Sequence, residues 1–180
     1  MNLPNLITIA RILLVPVIVW AIGSGAMLFA FILFLVAGIS DGVDGFLAKR
    51  FGMTSELGSY LDPLADKALI VSIYVALGVS EALPRWLVIL VVSRDIMIVA
   101  AVILSWLVDR PVVVKPLTVS KANTAAQIIL ATVVLASVGL AIDLGWLIAA
   151  FIVAVAVLTL ASVGAYVREW VHHMSSTEAR

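Results

Sequence analysis

Four aspartates carry the chemistry that this sequence offers. Asp41 and Asp44 stand three residues apart, and Asp62 and Asp66 stand four apart. On a helix those spacings place each pair on one face. The segments around them are strongly apolar, and an acid inside a membrane is costly enough to be read first as functional. Four carboxylates brought together repel one another, so they need cations or an increased hold on their protons. Oxygen donors with no His or Cys nearby suit Mg²⁺, Mn²⁺ or Ca²⁺ better than zinc. More than three carboxylates point to two metals acting on phosphoryl oxygens. Gly45 and Ala48 share the face of the first pair and leave room for a bulky ligand. Lys49, Arg50 and Lys67 supply positive charge against phosphate. A lone intramembrane Asp is often only a hydrogen-bond partner, but two helically spaced pairs flanked by Gly and Ala are hard to explain that way. The stronger rival is a carboxylate-lined cation carrier, since such acids also line ion paths.

The elements that must hold these acids follow from composition. Of 180 residues, 64% are hydrophobic and 12% are charged, whereas a soluble domain is about half apolar and a quarter charged. That excludes a soluble enzyme, a disordered chain and a nucleic-acid binder. Eleven basic residues balance eleven acidic ones, and cysteine is absent. The length suits a single domain over residues 1–180. The expected fold is all-α, a polytopic membrane protein with six transmembrane helices of about 20 residues each. The first span is expected to end near residue 22, and the others lie near residues 26–48, 57–79, 86–107, 119–142 and 144–167, with a polar tail over 168–180. Asn2, Asn5, Thr8 and Arg11 recur at three-residue spacing. That stripe predicts a short N-terminal interfacial helix running into the first span. A basic n-region and a small-residue cleavage site are both missing there, so no cleavable signal peptide is read.

Loop charge sets orientation. Lys49 and Arg50 follow span two, Arg110 and Lys115 follow span four, and Arg168 and Arg180 lie in the tail, whereas the opposite loops hold only Arg85. Both termini and the acids are therefore expected on the cytoplasmic side of an inner or plasma membrane. Trp86, Trp106, Trp146 and Trp170 fall near span ends, where interfacial aromatics belong.

The run Asp41-Gly-Val-Asp44-Gly45-Phe-Leu-Ala48-Lys49, then eight residues, then Gly58-Ser-Tyr-Leu-Asp62-Pro-Leu-Ala-Asp66, resembles the signature of the CDP-alcohol phosphotransferases. Every fixed position matches except one. Lys49 stands where the pattern has Arg, so a point charge replaces a planar fork, and Arg50 follows it. The resemblance implies six transmembrane helices with an N-terminal interfacial helix, in a homodimer. It implies two divalent cations, Mg²⁺ or Mn²⁺, among Asp41, Asp44, Asp62 and Asp66, binding the pyrophosphate of a CDP-linked donor. It further implies that Gly45, Ala48 and Gly58 make room for the nucleotide, that Asn5, Thr8, Lys49 and Arg50 join the donor site, and that Asp66 is the general base for the acceptor hydroxyl. The products are then a phosphodiester and CMP.

The acceptor is sought elsewhere in the chain. Arg94 within span four and Lys115 and Lys121 at the entry to span five are expected to meet an acceptor phosphate. The alternative for Arg94 is an ion pair with a neighbouring acid such as Asp95. Asn123 and Gln127 share a face and are read either as acceptor contacts or as interhelical hydrogen bonds. The opening Pro4-Asn5-Leu-Ile-Thr8-Ile-Ala-Arg11 is similar to both the phosphatidylglycerophosphate synthases and the cardiolipin synthases of the family. The segments 93–101 and 115–127 look closer to the cardiolipin synthases. The expected reaction is CDP-diacylglycerol plus phosphatidylglycerol giving cardiolipin and CMP, with glycerol 3-phosphate as the alternative acceptor. His172 and His173 diverge on a helix and are read as surface residues. Asp41→Asn or Asp62→Asn is expected to abolish CMP release while leaving a folded protein. Near-normal turnover by either variant at saturating metal would overturn the two-metal assignment.

Overall fold

A computed structural model describes the backbone over residues 3–51, 56–107 and 118–177, and side chains over 6–43, 65–100 and 118–168. Within these residues the chain is all helical: α1 (Leu3–Gly23), α2 (Met27–Phe51), α3 (Glu56–Val79), α4 (Arg85–Leu107), α5 (Thr118–Gly139) and α6 (Gly145–Thr177). Runs of Leu, Ile, Val and Ala this apolar leave the backbone no partner but itself in lipid, and the helix satisfies it completely. Three helices are long and apolar enough among the described residues to cross a membrane, over Leu6–Gly23, Thr118–Gly139 and Gly145–Arg168; α2 has a shorter apolar stretch, Met27–Val43. Apart from the start of α1 and the end of α6, the predicted boundaries agree with the helices to within about three residues, a margin usual for helix ends.

Two helix ends are drawn more sharply by the structure. The opening runs into the first span as one helix, since α1 is unbroken from Leu3 through Pro16 to Gly23. Thr8 and Arg11 of its polar stripe are buried against protein. At the other end, α6 continues as far as Thr177, through most of the predicted polar tail.

Contacts group the chain into two units, Met1–Arg85 with Ala131–Gly145, and Trp86–Leu130 with Trp146–Arg180. In the first, α1 packs against both α2 and α3. Each helix contributes one buried stripe: Ile18, Ala21 and Ile22 from α1; Ala30, Phe34 and Ala37 from α2; Leu69, Ile70, Ile73, Tyr74 and Leu77 from α3. In the second unit the buried stripes are Leu87, Val88 and Val91 of α4, Ala126 and Leu130 of α5, and Val155 of α6. Buried polar residues continue the stripes of α1, α4, α5 and α6.

The turns explain where the helices stop. After α1, Ala26 N–H donates to Ala21 O and Gly25 N–H to Ile22 O, with Gly25 at φ 78°. This is a Schellman ending, and glycine takes its left-handed position without strain. The end of α5 uses the same pair of bonds, Ile142 N–H to Ser137 O and Ala141 N–H to Val138 O, with Ala141 at φ 53°.

Gly139, the last residue of α5, meets the start of α2. A Cβ built there would lie 2.8 Å from Leu28 Cα and 2.9 Å from Leu28 N. Those are backbone atoms of a helix and cannot turn aside. Gly139→Val is therefore expected to destabilise the protein by about 1–3 kcal/mol, the usual range for overpacking. A Cβ at Gly164, inside α6, meets nothing within 4 Å, so Gly164→Ala is expected to be neutral or to stabilise by up to about 1 kcal/mol. Thermal unfolding of both variants in detergent checks the opposite signs.

Candidate active site

The buried stripes of α1, α2 and α3 lead to one place. On α2, Ala30, Phe34 and Ala37 are followed one turn later by Asp41. On α3, Asp66 lies one turn before Ile70 on the same stripe. On α1, Arg11 lies two turns before Ile18. Because α1 touches both other helices, its arginine reaches both acids. Arg11 Nη1 is 2.6 Å from Asp41 Oδ1 and donates a hydrogen bond to Asp66 Oδ1 at 2.6 Å.

The three side chains differ in exposure. Arg11 is 1% exposed, whereas Asp41 is 47% and Asp66 is 45% exposed. The guanidinium forms a floor beneath two carboxylates that are open on their outer side. A charge buried this deeply is sustained only by partners with good geometry. The sequence placed Arg11 on the polar stripe of α1 but did not pair it with the aspartates. Periodicity within one helix carries no signal for a partner on another, so three-dimensional packing alone could reveal it.

This pair is also the described part of the expected metal site. The two Oδ1 atoms flank a single nitrogen, so they are no more than twice 2.6 Å apart. Donors this close, all oxygen, fit a hard divalent cation. No group of three or more metal-ligating side chains occurs among the described residues. The side chains of Asp44, Gly45, Ala48, Lys49, Arg50, Gly58, Asp62 and Asn5 lie outside them, as does Lys115. Thr8 is buried on α1, close to one turn before Arg11. Lys67 is partly buried beside Asp66.

The second unit holds a different polar cluster. Arg94 of α4 is buried with its neighbour Asp95 and donates to it through Nη1. Its Nη2 donates to Ser120 Oγ of α5 and, at 2.8 Å, to Ser162 Oγ of α6. The Tyr166 ring lies 5.8 Å from the guanidinium carbon, within cation–π range. Arg94 thus has the acidic neighbour that the sequence left open as an alternative to an acceptor phosphate. Lys121 is exposed. Below this cluster Thr159 Oγ1 donates to Asn123 Oδ1 at 3.1 Å, an interhelical bond from α6 to α5. Gln127, on the same face of α5, is also fully buried. Ser120, Ser162 and Thr159 were not legible as participants, since small hydroxyl residues are common in apolar helices.

The chain matches the family model described as CDP-alcohol phosphatidyltransferase over residues 1–167. It is 41% identical over 147 residues to the chloroplastic CDP-diacylglycerol–glycerol-3-phosphate 3-phosphatidyltransferase 1 of Oryza sativa subsp. japonica, covering 72% of this chain and 45% of that protein. It is 36% identical over 152 residues to the CMP-forming cardiolipin synthase of Rattus norvegicus, covering 76% of this chain and 50% of that protein. A CDP-diacylglycerol–glycerol-3-phosphate 3-phosphatidyltransferase of Bacillus subtilis is 36% identical over 109 residues, covering 52% of this chain and 56% of that protein. The chain thus spans about half the length of the curated relatives it matches. With the family model running through both units and through all three helices that Arg11 joins, the chain belongs to the CDP-alcohol phosphatidyltransferase family.

Proposed function

We propose that this chain is an integral-membrane phosphatidyltransferase of six spans, one catalytic domain over residues 1–180, with both termini and the site on the cytoplasmic side. CDP-diacylglycerol is the donor, phosphatidylglycerol the acceptor, and cardiolipin and CMP the products. The observation that carries the reading is the meeting of Asp41 and Asp66 on Arg11. Two acids of the gapless signature, from different helices, converge on one point with their outer surfaces open.

Asp41, Asp44, Asp62 and Asp66 would hold two divalent cations, which supply neutralising charge to the pyrophosphate when bound. The protein's own residues do the rest. Asp66 has nearly half its side chain exposed beside its contact to Arg11, which leaves surface for the acceptor hydroxyl. It takes the hydroxyl proton as the acceptor oxygen forms a bond to the phosphorus bearing diacylglycerol. The bond from that phosphorus to CMP breaks, and CMP leaves with the electron pair. Gly45, Ala48 and Gly58 leave space for the nucleotide, with Asn5, Thr8, Lys49 and Arg50 at the donor. In a homodimer each copy carries a complete set of these residues.

The acceptor reading leans on Arg94. Its charge already faces a buried carboxylate, which suits a singly charged phosphodiester better than the dianion of glycerol 3-phosphate. Lys115 and Lys121 then provide the remaining positive charge for the acceptor phosphate. The similarity to glycerol-3-phosphate enzymes of rice and Bacillus subtilis supports the alternative acceptor.

The test supplies purified protein with labelled CDP-diacylglycerol and Mg²⁺ or Mn²⁺, and offers phosphatidylglycerol and glycerol 3-phosphate separately. Labelled cardiolipin with CMP is expected from the first alone. Phosphatidylglycerophosphate from the second would transfer the assignment to the alternative. Gradient-driven ion flux in vesicles with no CMP formed would identify a carrier instead.

Asp66→Asn separates the roles of the acids. Its turnover is expected to fall by about 10²–10⁴-fold, the range for losing a general base. Its donor affinity should survive better than that of Asp41→Asn, because Asn keeps an oxygen and three acids remain. Equal loss of donor binding in the two variants would make Asp66 chiefly a ligand.

A further inference from the structure

We propose that Arg11 is a resident counter-cation that competes with divalent metal for the Asp41–Asp66 pair and thereby weakens the metal affinity of the site. The proposal rests on the metal reading above. Its basis is one atom, since Arg11 Nη1 touches Oδ1 of both acids at 2.6 Å. That nitrogen bridges the first acid of the signature and the last, as a shared cation would. It is delivered from α1, whose packing against α2 and α3 fixes its position, and it is buried while the acids are half open. When metal leaves, the two carboxylates keep a positive partner and do not spread apart. When metal binds, it must share those carboxylates with a charge of its own sign.

The same contact has a second consequence of opposite sign. Arg11 also orders the carboxylates, and an outer partner that orients a ligand is worth about 10–100-fold in metal affinity. A unit charge at ion-pair distance from a dication exceeds that at an effective dielectric near 20, and part of the excess survives the screening expected for half-exposed acids. The charge therefore wins, and removing it tightens binding.

The experiment titrates the purified full-length chain in detergent with Mn²⁺ alone, reading free Mn²⁺ by electron paramagnetic resonance. Thermal unfolding is followed in parallel in chelator and in Mn²⁺. Arg11→Gln is expected to bind Mn²⁺ about tenfold more tightly than wild type, the direction set by loss of the charge. It should unfold at lower temperature in chelator and gain more stability from Mn²⁺. Arg11→Lys keeps the charge and is expected to bind close to wild type. Arg85→Gln, at an exposed pair with Glu81, is expected to leave affinity unchanged, and an equal shift there would overturn the proposal. If Arg11→Gln folds only with Mn²⁺ present, metal has replaced the arginine as the counter-cation, as expected. If it folds under neither condition, or binds Mn²⁺ no more tightly than wild type, Arg11 is not a competitor and the proposal falls. The metal reading has its own check, since Asp62→Asn should lose Mn²⁺ that wild type binds. A wild type with no saturable Mn²⁺ binding would overturn both readings.

Discussion

A guanidinium buried under two half-open carboxylates organises the first unit of this protein. Arg11 lies on a helix apolar enough to cross a membrane, where an unpaired charge is prohibitively costly. Its position is tolerable only if acids from neighbouring helices reach it. Asp41 and Asp66 do so because α1 packs against both α2 and α3. The requirement also runs the other way. Asp41 and Asp66 belong to a set of acids that would repel one another if they met without positive charge. The arginine and the aspartates therefore justify one another's presence. The apolar stripes of the three helices are aligned so that all three residues fall at the same end.

The protein buries a second arginine in a different manner. Arg94 is paired with the residue next to it, and Asp95 is itself buried. Serine hydroxyls from α5 and α6 occupy a second face of the guanidinium, and Tyr166 lies within cation–π range. This cluster is closed, with its donors directed at acceptors inside the unit. It ties α4, α5 and α6 together in a region where apolar packing alone gives helices little preference for one register, and polar bonds between helices supply it. The Arg11 cluster is the open counterpart, since its acids keep almost half of their surface. Openness of the acids separates a place where chemistry can occur from one that holds helices together.

Much of the fold was legible before any coordinates. Apolar runs of about 20 residues broken by Gly23-Ser-Gly25, the segment following Lys49-Arg50, Pro84, the Asp109–Thr118 segment and Asp143 mark six helices, because lipid-compatible backbone has so few forms. The ends of α1 and α6 were read less well. Amphipathic spacing at residues 2–11 states only that one side of a helix is polar, and packing decided that Thr8 and Arg11 on that side are buried. Polar composition after Val167 suggested a tail, yet polar residues continue a helix readily once it is nucleated.

The sequence by itself determined the family and the helices that carry its signature. Four aspartates at helical spacing between residues 41 and 66 stand on α2 and α3 whatever the details of packing. Only the tertiary structure decided which positive charges answer which acids. Arg11 meets Asp66 across 55 positions of chain, whereas Arg94 takes the adjacent Asp95 rather than a distant acid and reaches across 68 positions to the Ser162 hydroxyl. Periodicity is a property of one helix and orients a side chain without naming its partner. The partner is chosen when helices dock and the cost of burying each charge selects the arrangement in which both arginines are paired.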